Sequence, residues 1–200
     1  MTYRSRIPIL GRMARPKEFD VDRALDAALE VFREHGFDGA SSGMLADAMK
    51  IGRQSIYDTF GDKWQLYLSA LRRYVDTEIT AHAKALRSET RALDGIKAAL
   101  RRVVQVAHQG CLGINSVCEF GSRQPEVNDI NAAADHSLRQ VFVACVREAQ
   151  LAGDLLSELD PNSVVDFLVA CITGIRVAAR GGAQRAQLEV MERLAIRALR

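Results

Sequence analysis

The chain has 200 residues, 48% of which are hydrophobic, and it carries a formal net charge of +2. This length suits one large domain or two small ones, and the small net charge does not by itself indicate a nucleic-acid partner. No apolar run reaches the roughly 18–20 residues that span a membrane, no signal peptide is evident, and four cysteines without short paired spacing predict neither zinc binding nor disulfides.

These features predict a protein of the reducing cytoplasm that does not associate with a membrane. The sequence also lacks the motifs of enzyme chemistry: it contains no paired carboxylates, metal-ligand spacing, phosphate-binding loop or Ser-His-Asp set. We therefore expect a protein that is not an enzyme and that uses neither a cofactor nor a metal ion.

Residues 1–17 form a basic N-terminal arm, because they contain five arginine or lysine residues, including Arg15, and no acidic residue. Two interpretations of this arm stay open. It is either a solvated tail or an arm that reaches DNA phosphates or a minor groove, as such arms do in some helix-turn-helix proteins. Both hold if the arm becomes ordered only on DNA.

Residues 18–64 form the first predicted domain, which contains three short helices. The first helix runs from residue 21 to about residue 35, with Asp20 as its N-cap and Gly36 at its end. Ser41 caps the second helix, residues 50–52 form a tight turn, and the third helix covers Arg53–Phe60. This pattern is typical of a helix-turn-helix, whose second helix enters a DNA major groove.

The third helix is rich in hydrogen-bond donors near its start. Arg53 can bind guanine through its O6 and N7 atoms, and Gln54 can pair with adenine. Ser55 is a further donor on the same helix, and Ser41 begins the preceding one. We therefore expect all four residues, together with Arg15 of the arm, to contact DNA.

The span from Phe19 to about Leu71 resembles the DNA-binding head of the TetR/AcrR transcriptional regulators. The matching segments are AALEVF at residues 27–32, HGFDG at 35–39, IGRQSIY at 51–57 and FGDK at 60–63. The resemblance implies that Tyr57 and Lys63 contact the DNA backbone. It also places the usual start of such a protein at Met13, which leaves two interpretations of residues 1–12 open: an upstream extension, or the start of the protein if translation begins at Met1.

Three positions of the head depart from the family pattern. Lys50 occupies a turn position usually filled by glycine, so it must adopt a left-handed conformation that costs about 1 kcal/mol. Ser42 replaces an apolar residue, and Gln54 replaces a proline or alanine. These departures leave the base preference of the third helix open.

Residues 65–200 continue the helical pattern and match the family only in that pattern and in length. Asp62 begins a long helix that connects the head to the body, and Asp160 followed by Pro161 begins a later one. We predict an all-α protein of about nine helices, in which a larger ligand-binding and dimerisation body follows the three-helix head.

The resemblance implies a small-molecule pocket among the body helices. The candidate lining residues are His108, Cys111, Asn115, Cys118, Phe120, Phe142 and Cys145. Each of them has an alternative role as an ordinary core residue. The mixture of apolar side chains with one amide and one imidazole suits a mostly apolar organic effector.

Cys111 and Cys118 leave open a second mode of sensing. Their spacing of seven residues places them on one face of a helix, about 10.5 Å apart along its axis, which is too far for a disulfide unless the helix breaks. A position near a helix N-terminus lowers the pKa of a thiol. Reaction of Cys111 with oxidants or electrophiles is therefore an alternative to reversible binding.

The last two predicted helices are the candidate dimer surface, because in the family this pair forms a four-helix bundle with its copy. The candidate interface residues are Leu168, Ile172, Ile175, Leu188 and Met191. The alternative is that the same stripe fills the core of a single chain.

The sequence thus favours a homodimeric transcriptional repressor that binds a palindromic double-stranded DNA operator and is released by a small organic effector. Two alternatives stay open. One is a cysteine-based redox or electrophile sensor, and the other is a DNA-binding protein without an effector, which a solid core in the body would favour.

Overall fold

The computed structural model of the protein describes residues 19–200, so the basic arm with Arg15 lies outside the described residues. The described range contains nine α-helices and no strand, which confirms the all-α prediction. The helices are α1 Val21–Gly39, α2 Ser42–Met49, α3 Arg53–Phe60, α4 Lys63–Leu86, α5 Ala92–Val106, α6 Leu112–Phe120, α7 Pro125–Leu151, α8 Pro161–Arg180 and α9 Arg185–Arg197.

Acidic and hydroxyl side chains begin four of these helices, as their positions in the sequence predict. Asp20 accepts hydrogen bonds from two amides at the start of α1, and Ser41 accepts one from the Met44 amide of α2. Asp62 and Asp160 do the same for α4 and α8. Each cap satisfies backbone donors that have no partner inside the helix, and its loss typically costs about 1 kcal/mol.

A kink at Gly36 divides α1 near its C-terminal end. Gly36 has φ 70° and ψ −175°, a conformation that residues with a side chain rarely adopt. The predicted end of the helix at Gly36 is therefore the point at which the regular helix breaks. One further turn, residues 37–39, follows the kink and points its amide groups in a new direction.

The apolar residues form two core clusters, and α4 contributes to both. The first cluster joins α1, α2, α3 and the first half of α4 to α6 and the start of α7. The second joins the end of α4 to α5, α7, α8 and α9. Because Leu112, Phe120, Val127 and Ile130 belong to the first cluster, the head packs directly on the body rather than hanging from α4 alone.

Helix α8 satisfies the length and composition criteria for crossing a membrane, although its longest uninterrupted apolar run is short. The core helix of a globular protein satisfies the same criteria. In the described part of the chain, α8 packs against α5, α7 and α9, and its inward side chains belong to the second core cluster.

Candidate nucleic-acid interface and internal cavity

The turn between α2 and α3 is held in a conformation that exposes the polar face of α3. Lys50 has φ 56° and ψ 37°, which confirms the left-handed conformation predicted for this position. Leu45, Met49 and Ile56 are buried in the first core cluster and fix the two helices against each other. The side chains on the outer face of α3 are consequently available to a partner.

Two of the predicted base-contacting side chains lie exposed on α3. Arg53 and Gln54 are exposed at its start, and the Gln54 amide donates a 2.9 Å hydrogen bond to Asp58 one turn later. This bond orients Gln54 along the helix, and an adenine edge would compete with Asp58 for the amide donor. Ser55 is half-buried on the same helix.

Of the two predicted backbone-contacting residues, Tyr57 lies on α3 and Lys63 begins α4. Tyr57 is 40% exposed, and its hydroxyl lies 3.3 Å from the hydroxyl of Ser42 on α2, so the polar residue at position 42 has a partner. Lys63 is the first residue of α4, and its ammonium group lies 4.3 Å from the centroid of the Phe37 ring. Ser41 is exposed at the start of α2. Together these groups border the outer face of α3.

The carboxylate of Glu119 on α6 binds the last turn of α1. Its two oxygens accept hydrogen bonds from the backbone amides of Phe37, at 2.9 Å, and Asp38, at 2.8 Å. A Cβ atom at Gly36 would lie 3.0 Å from one of these oxygens, so the glycine allows the close approach as well as the kink. Bonds between a carboxylate and free helix-end amides are among the stronger hydrogen bonds in proteins.

Two more hydrogen bonds connect the body to the C-terminal part of α1. The Asn115 side-chain amide of α6 donates to the carbonyl of Arg33 at 3.0 Å, and Arg180 of α8 donates to the carbonyl of Glu34 at 3.1 Å. The sequence analysis missed this junction. Its only sequence signal was Gly36, which indicated a break but not the partner 83 residues away.

An aromatic cluster fills the space beneath the junction. Its members are Phe32, Phe37, Trp64, Tyr67 and Phe120, whose ring centroids lie 5.1–6.5 Å apart. Burial raises the pKa of Tyr67, and nearby Glu119 adds to the shift. Phe120 therefore belongs to the packing between head and body, which corrects its assignment to the ligand pocket.

A cavity of about 460 Å³ lies in the body between α4, α6, α7 and α8. This volume falls in the range of about 300–1,000 Å³ that is typical of small-molecule sites. Two of the candidate pocket residues, Cys111 and Cys118, line the cavity together with Ile79, Ile114 and Leu138. The body is therefore not a solid core.

The other predicted pocket residues do not line this cavity. His108 is exposed after the end of α5, while Phe142 and Cys145 are buried in the second core cluster. Asn115 borders an adjoining cleft of about 400 Å³ between α6 and the end of α8. The prediction failed at these positions because helical periodicity does not determine which neighbour each face packs against.

The thiol groups differ in their surroundings. Burial raises the pKa of Cys145 to about 11, with a smaller effect of Glu148, and its sulfur lies 3.3 Å from the carbonyl of Ala92. Burial also raises the pKa of Cys171. Cys118 is exposed and Cys111 is half-buried at the cavity wall. Within residues 19–200, no group of three metal-binding side chains is placed to hold an ion.

Charged side chains from three helices meet at one end of the cavity, and the sequence analysis did not find them. Glu78 on α4 accepts hydrogen bonds from Arg102 on α5, at 2.7 Å, and from Arg176 on α8, at 2.6 Å. Burial opposes ionisation of Glu78, but the two guanidinium groups outweigh it and hold its pKa below the usual value. The carboxylate therefore stays charged inside the body.

His82 lies one turn after Glu78 and is only 4% exposed. Burial lowers its pKa to about 4, and the positive charge of Arg102 adds to the effect. The imidazole is consequently neutral at physiological pH, and its Nδ1 atom has no hydrogen-bond partner among the described residues.

Most of the predicted dimer residues belong to the core of the protomer itself. Leu168, Ile175 and Leu188 are fully buried, Ile172 is 8% exposed, and Met191 packs against the second core cluster. This corrects the assignment of the four buried residues to an interface, since buried side chains cannot meet a partner; Met191 is half-buried, and its assignment stays a prediction. The outer faces of the same two helices instead carry exposed apolar side chains: Phe167, Val177, Val190 and Leu194.

The exposed donors of α3, set on a helix-turn-helix at the end of a helical body, define a DNA-binding regulator of transcription. Residues 24–70 match the family described as bacterial regulatory proteins, tetR family, and residues 90–195 match the tetracyclin repressor-like C-terminal domain. The chain belongs to the TetR family of transcriptional regulators, which are not enzymes.

Individual relatives agree with this membership. The chain is 28% identical to the HTH-type transcriptional repressor ComR of Escherichia coli over 87% of this chain and 86% of the relative. It is 31% identical to the regulator YezE of Bacillus subtilis over 73% and 78% of the two chains. A cysteine mutant of the TetR family regulator CifR was solved with 26-bp double-strand operator DNA. It superposes on this chain with a TM-score of 0.82 at 28% sequence identity, and the match covers 94% of this chain and 100% of the CifR chain.

The pKa of His82 predicts a specific dependence of stability on pH. In the unfolded chain His82 takes up a proton near pH 6.5, but in the folded protein only near pH 4. The unfolded state therefore binds the proton first, so the free energy of unfolding falls by up to about 3 kcal/mol as the pH drops from about 6.5 to about 4. Above pH 6.5 the contribution of His82 is fully present.

We expect His82→Gln to remove this part of the pH dependence, measured by urea unfolding at several pH values. Glu78 keeps its own contribution in the variant, since Arg102 and Arg176 are unchanged. His108→Gln, at an exposed histidine, is the matched control. An identical slope in wild type and His82→Gln would contradict the assignment.

Proposed function

We propose that the protein is a cytoplasmic homodimeric repressor, which is released from a palindromic operator by a small organic molecule bound in the body cavity. The observation that carries this proposal is the double contact of α6. Its inner side lines the cavity through Cys111, Ile114 and Cys118, and its C-terminal end binds the head through Glu119. A ligand that displaces α6 would therefore change the position of the head.

The thermodynamic requirement for such a switch is a difference in affinity. A ligand releases DNA only if it binds more tightly to the conformation whose heads do not fit the operator. A tenfold difference between the two conformations weakens operator binding by about 1.4 kcal/mol, because the coupling is reciprocal. The cavity supports a regulator with an effector over a DNA-binding protein without one, for which a solid body was expected.

The relatives support the direction of regulation. ComR is named a transcriptional repressor, and CifR was solved on double-strand operator DNA. A twofold dimer presents two copies of α3 to two half-sites about one helical turn apart, which makes an inverted repeat the expected operator. Selection of random double-stranded DNA with the purified protein tests this directly, and recovery of no common sequence would contradict the proposal.

A second candidate function is covalent sensing by the cavity thiols. The specific observation in its favour is that Cys111 and Cys118 both line the cavity, so an electrophile that enters it meets two thiols. Under the reversible proposal, Cys111→Ser combined with Cys118→Ser leaves the response to a non-reactive effector unchanged. If oxidants or electrophiles release the wild type from DNA but not this variant, the thiols are the sensor.

The DNA-contact assignments predict two distinct kinds of defect. Arg53→Ala or Gln54→Ala removes a base contact, so we expect a loss of about 1–3 kcal/mol on the selected operator and relaxed specificity at one position. Lys63→Ala removes a phosphate contact, so we expect weaker binding to all sequences and a salt dependence whose slope is smaller by about 1. Fluorescence anisotropy at several salt concentrations measures both.

Arg147→Ala is a control for these variants, because it removes an exposed positive charge from α7 in the body rather than from the head. A Lys63→Ala variant that changed sequence preference but kept the salt slope would overturn the phosphate assignment.

The exposed apolar faces of α8 and α9 are the proposed dimer surface. Val190 is 43% exposed and Leu194 is 57% exposed on α9. We expect the double variant Val190→Glu with Leu194→Glu to sediment as a monomer and to bind the operator far more weakly, since each half-site then binds separately. Leu151→Glu is the matched control, because Leu151 is 89% exposed on α7. A wild-type monomer that still binds an inverted repeat tightly would contradict this surface.

A further inference from the structure

One end of the body cavity holds polar groups without a protein partner. Tyr74 and His82 lie on the same face of α4 as Glu78, at successive intervals of four residues, and all three line the cavity. Tyr74 is 6% exposed and His82 is 4% exposed. Burial raises the pKa of Tyr74, and the neighbouring Cys111 thiol, a weak hydrogen-bonding group, adds to the shift. Apart from this thiol, the Tyr74 hydroxyl and the His82 Nδ1 atom have no hydrogen-bond partner in the described part of the chain. Buried polar atoms of this kind normally have one.

The ion-pair cluster at this end carries an excess of positive charge. One carboxylate, that of Glu78, pairs with two guanidinium groups, of which Arg176 lines the cavity and Arg102 does not. Each guanidinium group has five N–H donors, while a carboxylate offers about four lone-pair sites. Arg176 is 6% exposed, and its one hydrogen bond within residues 19–200 is the one to Glu78. Most of its donors are therefore unused, although the residue lines the cavity.

The other charged residue of the cavity wall does not neutralise this end. Asp135 is exposed to solvent on α7, and its carboxylate lies 3.6 Å from Arg139, which also binds Asp166 of α8 at 2.5 Å. His82 is neutral because it is buried. It therefore carries no positive charge that could pair with Glu78 and replace one of the two arginines. Apolar side chains, including Ile79, Leu138 and Ile172, line much of the remaining wall. The cavity is thus apolar with one cationic, donor-rich end.

We propose that the cavity binds an amphipathic organic acid, with its carboxylate at Arg176 and its apolar skeleton along α6 and α7. The Tyr74 hydroxyl donates to the same carboxylate, and neutral His82 supplies a further hydrogen bond. The ligand's charge completes the pairing of the two arginines, which a neutral or cationic ligand cannot do. This inference rests on the proposed function, because it specifies the class of effector for that site.

The test compares ligands that share one apolar skeleton and differ in their polar end. Hexanoate, decanoate and 4-phenylbutyrate are each measured beside the matching alcohol and amine by isothermal titration calorimetry on the wild-type protein. We expect at least one acid to bind at least about tenfold more tightly than its own alcohol and amine, since hydrogen bonds to charged groups exceed neutral ones by about this factor. If no acid exceeds its alcohol, the inference is overturned.

Variants of the cationic end identify the groups responsible. Arg176→Gln is expected to remove the preference for the acid while leaving the affinity for the alcohol unchanged, and Arg176→Lys is expected to retain most of the preference. Tyr74→Phe is expected to weaken the acid several-fold. Arg147→Gln, at an exposed arginine of α7 outside the cavity wall, is the matched control. A preference for the acid that persists in Arg176→Gln would overturn the proposed position of the carboxylate.

Operator binding in the presence of the acid separates this inference from the proposed function. Selective acid binding without any change in operator affinity supports the ligand class and contradicts effector-controlled release. Release of the operator by an alcohol as effectively as by its acid supports the switch and overturns the ligand class.

Discussion

The bond between the Glu119 carboxylate and the amides of Phe37 and Asp38 is the constraint on which the arrangement of head and body depends. It is made possible by the left-handed conformation of Gly36, which opens α1 and presents two free amides. The aromatic cluster beneath it then packs Phe37 against Trp64 and Phe120. The head is consequently positioned by α6 and by α4, both of which also line the cavity.

This arrangement gives the cavity a short physical route to the DNA-binding face. Cys118 lines the cavity, and its neighbour Glu119 holds the end of α1. The ammonium group of Lys63 lies over the ring of Phe37. A ligand that displaces α6 would therefore shift Lys63 through a chain of contacts that contains only two residues, Glu119 and Phe37. Such a contiguous contact is a physical basis for coupling, which becomes allostery when the two states differ in ligand affinity.

The sequence predicted the features that depend on local chemistry. The caps at Asp20, Ser41, Asp62 and Asp160, the left-handed Lys50 and the bounds of α3 are all confirmed, because each is determined by a few adjacent residues. The sequence did not predict the features that depend on which faces of the helices pack together. The contact between Glu78 and Arg176 joins residues that lie 98 positions apart in the chain. Leu168 and Ile175 face the core of the protomer rather than a partner subunit, and this too depends on how distant helices pack.

The operator affinity of Glu119→Ala tests the central claim most directly, because Glu119 binds the head without lying on its DNA-facing side. If Glu119 positions the head, the variant binds the operator about tenfold more weakly. Its salt dependence keeps the wild-type slope, since no phosphate contact is lost, and Glu148→Ala, at an exposed carboxylate on α7, binds like the wild type. A folded Glu119→Ala protein with wild-type operator affinity would contradict the claim that α6 controls the head.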